Sequence, residues 1–190
     1  MPVRDMPVRD VPVRDVPVWD LAVRLIHWIL VFSIGAAWFT SGQIGVAHEY
    51  AGYGAGMLVV ARLVWSGIGN RYARFGQFLK SLPVTLDYVR QVMLGKAPRY
   101  IGHNPLGGWM VVALLSCVAL LVLTGWAMGT DLLWGYAWPV RMHVTIAWIM
   151  VGLIALHVAG VLFTSWQHRE NLPKAMLTGK KPSAEPGDLD

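Results

Sequence analysis

Cysteine is nearly absent from this chain. Cys117 is the single one among 190 residues, so no internal disulfide can form, and no thiolate set for structural zinc exists. No C-x-x-C-H motif occurs either, which excludes a covalently attached c-type haem. Charge is also scarce. Only 14% of the residues are charged, against about 25% in soluble domains. Within the long apolar stretches Glu49 is the sole acidic residue, so a carboxylate-rich di-iron bundle is excluded. What is abundant is apolar surface: 55% of residues are hydrophobic, ten are tryptophan, and mean hydropathy is +0.48. This is the composition of a membrane protein, with amphipathic indole rings suited to the interfaces. The formal net charge of +5 is then read as basic cytoplasmic loops, and no nucleic-acid partner is expected.

Four apolar stretches suffice to cross about 30 Å of hydrocarbon, which takes roughly 20 helical residues. They run from about Leu21 to Ser41, from near Ile44 to Gly67, from Trp109 to Met128, and from about Val140 to Trp166. Lipid cannot satisfy backbone hydrogen bonds, so each must be a helix. Basic residues orient them. Arg71, Arg74, Lys80, Arg90, Lys96 and Arg99 face a single acid, Asp87, between the second and third stretches, and Arg169, Lys174, Lys180 and Lys181 follow the fourth. The other two connections are almost uncharged. Both termini and the long loop are therefore expected in the cytoplasm, with the chain multi-pass. The alternating Arg and Asp before an over-long first apolar run predict an uncleaved anchor, not a signal peptide.

Leu82, Leu86, Val89 and Met93 recur at helical spacing inside the long loop, and Pro83 suits a first turn. A short helix on the cytoplasmic membrane surface is expected there. The fold class is thus all-α: a four-transmembrane-helix bundle with one short interfacial helix between spans 2 and 3. The domain occupies residues 19–181. Before it, "MPVRDMPVRDVPVRDVPVWD" is a pentapeptide repeated four times. Proline every fifth residue forbids a continuous helix, so residues 1–18 are expected to be a disordered arm. Residues 182–190, "PSAEPGDLD" after Lys181, are expected to be a disordered tail.

Four of the six histidines lie inside or at the edges of spans: His27, His48, His143 and His157. Taken singly, each could be a hydrogen-bonded or snorkelling side chain; together they form a pattern. At about 100° per residue, the fourteen-residue interval from His143 to His157 returns to within about 40° of the same face, some 21 Å further along the helix. By depth, His48 matches His143 near the periplasmic ends, and His27 matches His157 roughly 9–13 Å in from the cytoplasmic ends. Two imidazole pairs at two levels, without carboxylates, fit two bis-histidine b haems and their iron. Arg62 lies fourteen residues after His48, on its face and near the inner pair. A buried arginine needs an anion, and a haem propionate suits its fork. Arg24 and Arg141 could act likewise, or be ordinary interface residues. His103 and His168 are expected to be solvated cytoplasmic side chains.

"VWDLAVRLIHW", "HEYAGY", "ARLVW", "GHNPLGG", the histidines of the fourth span and "HRENLPKAMLTGKK" together resemble the prokaryotic cytochrome b561 family. They are also similar to the b-type cytochrome subunits of nickel–iron hydrogenases, which are longer. The resemblance covers about residues 18 to 181 and not the repeat. It implies a di-haem b cytochrome of the respiratory chain, with His27, His48, His143 and His157 as ligands. Such a protein passes electrons between a periplasmic partner (a c-type cytochrome, hydrogenase or dehydrogenase) and ubiquinone or menaquinone. Similar members include a quinone-dependent superoxide oxidase, a second reading. A third, of a different class, is a non-redox bundle whose histidines relay protons.

Overall fold

A computed structural model describes residues 15–42 and 46–189. The first fourteen residues of the repeat arm, positions 43–45 of the first turn and residue 190 lie outside the described residues. In chain order come strand β1 (Val16–Pro17) and helices α1 (Leu21–Thr40), α2 (Ala47–Ile68), α3 (Phe75–Phe78), α4 (Leu82–Met93), α5 (Pro105–Met128), α6 (Ala137–Gln167) and α7 (Leu172–Thr178). Strand β2 (Lys180–Lys181) follows. The four apolar stretches are α1, α2, α5 and α6, each long and apolar enough to cross a membrane.

Local chemistry sets the helix starts. Asp20 caps α1 by accepting the Val23 N–H at 2.8 Å, and its other oxygen accepts the Trp65 indole N–H at 2.9 Å. One side chain thus begins α1 and ties it to the end of α2. Asn104 caps α5 through the Gly107 N–H at 2.7 Å, with Pro105 in the first turn, where its missing N–H costs nothing.

Helix α1 packs on α2, α2 on α5, and α5 on α6. The core is a thin seam of Ala55 and Val59 from α2, Leu115, Cys117 and Val118 from α5, and Met150 from α6. Gly56 permits the close approach of α2 to α5, because a Cβ there would lie 3.1 Å from the Val122 side chain. Phe32, Phe39, Met57 and Trp148 point outward and are exposed. In lipid the outer surface needs no polar cover, and small residues at the seam let backbones approach.

The bundle has two unlike ends. At the turn end lie the α1–α2 and α5–α6 connections. The other, capped end carries β1, α3, α4, α7 and β2. Helix α4 matches its expected position, with Leu82, Leu86 and Met93 exposed and Thr85 and Tyr88 buried.

The tail differs from expectation. Val16 and Pro17 pair antiparallel with Lys181 and Lys180, and Val18 is fully buried. Beyond Lys181 the chain is bonded almost to its end. Arg99 holds the carbonyls of Pro182 and Ser183 and the Asp188 carboxylate, while Leu189 exchanges backbone hydrogen bonds with Arg99 and Ile101. Residues 182–189 are therefore an ordered strap. The physical reason is a buried ion network, in which Glu170 pairs with both Arg99 and Lys181, at 3.3 and 3.1 Å.

Candidate functional site

Toward the turn end, α2 and α6 present His48 and His143 to each other. Their ring centroids are 6.0 Å apart with the planes at 70°. An imidazole–metal bond is about 2 Å, so two rings sharing one metal through Nε2 have centroids about 6 Å apart. The separation fits a single metal atom between them.

Hydrogen bonds decide which nitrogen is available. His48 Nδ1 lies 2.8 Å from the Ala37 carbonyl of α1, which can only accept, so Nδ1 carries the proton. Thr124 of α5 donates its hydroxyl proton to the Leu120 carbonyl at 2.7 Å. Its oxygen is therefore the acceptor for His143 Nδ1–H at 2.9 Å. Both imidazoles are left with an unprotonated Nε2, as metal-ligating histidines oriented by an outer partner are. Gly125 gives the His143 ring its place against α5, where an added Cβ would already touch the ring at 3.5 Å. The Thr124 and Ala37 contacts have no sequence motif. A hydroxyl one residue before Gly125 in the third span was the only available signal.

Nearer the capped end, His27 of α1 and His157 of α6 are close enough to act on each other electrostatically. His27 Nδ1 is buried without a hydrogen-bond partner. Arg62 of α2, only 6% exposed, donates Nη2–H to the Ala73 carbonyl at 2.9 Å and stacks over the Phe75 ring at 5.0 Å. Its Nη1 is buried with no partner, and so is Arg24 Nε. Arg24 spends another nitrogen on the Leu177 carbonyl of α7. Arg141 is exposed at the start of α6 and joins no hydrogen bond or ion pair among the described residues. The structure thus buries Arg62 against Ala73 and Phe75 and leaves Arg141 at the surface.

His103 departs from the solvated side chain expected. It sits between Trp19 and Phe78, with centroids 4.5 and 4.6 Å away, and its Nδ1 is buried without a partner. Burial first, and then the charges of Arg62 and Lys181, push its pKa down to about 3, so it is neutral. His168 is also partly enclosed, with Nε2 unpartnered.

Among the described residues no group of three or more His, Cys, Asp or Glu could hold a bare ion. Two protein ligands per level suit instead a metal that brings its own equatorial ligands, as haem iron does. The unpartnered guanidinium nitrogens of Arg24 and Arg62 are of a chemistry that suits the carboxylates of such a group.

A family profile for prokaryotic cytochrome b561 matches residues 18–179. Among curated relatives, a probable Ni/Fe-hydrogenase B-type cytochrome subunit of Bradyrhizobium diazoefficiens is 26% identical, covering 84% of this chain and 83% of the relative. Its counterpart in Cupriavidus necator is 25% identical over 83% of each chain, and that of Rhizobium leguminosarum bv. viciae is 22% identical. No solved structure gives a significant match. With the profile spanning nearly all of the described bundle, the chain belongs to the prokaryotic cytochrome b561 family, the b-type cytochromes of membrane electron transfer.

Proposed function

We propose that this protein carries electrons across the bacterial inner membrane through two b haems, linking a periplasmic redox partner to the quinone pool. The observation that carries the proposal is the outer pair: two imidazoles 6.0 Å apart, each locked as the Nδ1–H tautomer by a neighbouring helix. A proton relay would need nitrogens able to exchange protons with each other. Here both Nδ1–H groups are committed elsewhere, and the two free nitrogens are both acceptors.

In this reading His48 and His143 hold the outer iron and His27 and His157 the inner one. Arg62 and Arg24 receive propionates at the inner level, and Arg141 serves the outer level at the membrane surface. Haem held by these histidines would supply a one-electron iron couple, and ligation by two protein side chains would favour electron transfer over oxygen binding. Arg62 places a positive charge by the inner site and so favours its reduced state. The excess of basic residues in the α2–α5 connection and after α6 puts the capped end, with both termini, in the cytoplasm. The names of the relatives point to a hydrogenase as the partner that supplies electrons.

The test is optical. Purified protein reduced with dithionite should show b-type bands at two haems per chain, and His143→Ala should retain about one. Absence of b-type bands in the parent rejects the proposal. Haem content unchanged in His143→Ala rejects the ligand assignment. Quinone reduction by superoxide in the isolated protein would instead favour the superoxide oxidase reading.

A further inference from the structure

The end of α6 has a backbone conformation its residue type disfavours. His168 closes the helix, and Arg169 follows at φ 51°. Glu170 N–H bonds the Ser165 carbonyl at 3.1 Å and Arg169 N–H the Trp166 carbonyl at 3.4 Å. This two-bond stop motif takes glycine at the position Arg169 occupies, because in a left-handed residue Cβ crowds the following carbonyl oxygen. The other left-handed positions described, Gly95, Gly135, Gly179 and Gly187, are all glycine. Arginine is the exception. The strain is sustained by the next residue, Glu170, which is anchored by its buried ion pairs.

Residues held in such sparsely populated conformations cluster at functional sites. The Arg169 side chain is exposed and has no hydrogen bond or ion pair among the described residues. With Phe163, Trp166, Gln167 and Gly95 it lines a groove of about 360 Å³. None of these five residues is acidic, and Lys96 adjoins Gly95 in the chain. Helix α6 has 31 residues, about 46 Å at 1.5 Å each. That matches a bilayer of about 40–45 Å with its headgroups, so its last turn lies among them. Trp166, 77% exposed, and Phe163 turn their rings to the lipid.

We propose that this groove binds the headgroup of an anionic phospholipid. The Arg169 guanidinium takes the phosphate as a two-pronged donor, the Gln167 amide adds a donor, and Phe163 and Trp166 cover the glycerol and upper acyl chain. A zwitterionic lipid would bring an ammonium to a lining without a carboxylate. Free phosphate would leave both rings uncovered. The site does not depend on the haem assignment, and the proposed orientation only names the leaflet as the inner one.

The test uses the full chain, delipidated in neutral detergent. Its unfolding midpoint is followed by tryptophan fluorescence, and retained lipid by native mass spectrometry. Phosphatidylglycerol should raise the midpoint and stay bound, whereas phosphatidylcholine and inorganic phosphate should not. Arg169→Gly relieves the backbone, so its lipid-free midpoint should equal or exceed the parent's, while its phosphatidylglycerol affinity falls roughly ten-fold or more. Arg169→Gln, which keeps length without charge, should lose the affinity as well. Parental affinity in both variants overturns the proposal, as does equal protection by phosphatidylcholine or inorganic phosphate.

Discussion

His143 owes its available nitrogen to a hydroxyl on another helix. Thr124 Oγ1 accepts the Nδ1 proton only because its own proton goes to the Leu120 carbonyl. Thr124→Val keeps shape and removes the acceptor. Loss of such an outer partner typically weakens metal affinity roughly 10- to 100-fold. Haem retention at the outer level should drop accordingly in a competition with apo-myoglobin, with the inner haem unaffected. His103 gives a second outcome, in stability. Its folded pKa near 3 lies below the ordinary 6.5. Between those values the unfolded chain binds a proton that the folded chain refuses, so stability falls as pH falls. From pH 7 to pH 5 the loss is about 2 kcal/mol. His103→Phe, which keeps a ring between Trp19 and Phe78, should flatten that slope in thermal unfolding curves. The four span histidines were legible because an ionisable side chain is conspicuous in an apolar run and its depth can be counted. The burial of His103 was not, because it depends on Trp19 and Phe78, which are distant in sequence.

Among the elements, the cap at one end is stabilised mainly by charge. Glu170 is 8% exposed and Lys181 2%, and the burial that lowers the lysine pKa is opposed by its Glu170 partner. Removing one member of such a network leaves the others charged and unpaired, which costs about 3–5 kcal/mol. Glu170→Gln takes from Lys181 its carboxylate partner, whereas Arg99 keeps Asp188, so an effect near the lower figure is expected. It should appear as a lower unfolding midpoint and as faster proteolysis after Lys181, two readouts that a merely weakened surface contact would not move together. The spanning helices and α4 were legible to within a few residues, because hydropathy and a stripe at helical spacing are local. The strap was not. Its proline, glycine and acidic residues read as disorder in any short window, and the network that orders it joins residues 99, 170, 181 and 188. Val16 and Pro17 are similar: the last copy of the repeat is ordered by pairing with Lys180 and Lys181, about 160 positions away.

For the molecule as a whole, the proposed assignment of two histidine pairs to two haems predicts sites wired in series. His143 and His157 are fourteen residues apart on one unbroken helix, roughly 21 Å along its axis; His143 faces His48 of α2, and His157 is matched in depth by His27 of α1. On the proposed assignment helix α6 is shared by both levels, whereas α1 serves the inner one and α2 the outer. Such a division allows each site to be removed by itself without cutting the shared helix. His27→Ala should lose the inner haem and His48→Ala the outer, each variant keeping about half the parental haem. If the sites work in series, either loss must stop electron flow across the membrane although half the cofactor remains. Proteoliposomes with ferricyanide inside and a membrane-impermeant reductant outside measure this directly. The parent should reduce the trapped acceptor, and both variants should fall to the rate of empty vesicles while their remaining haem is still reducible by dithionite. If one variant keeps transmembrane transfer, the deleted site lies off the path, and the outer and inner pairs serve separate reactions.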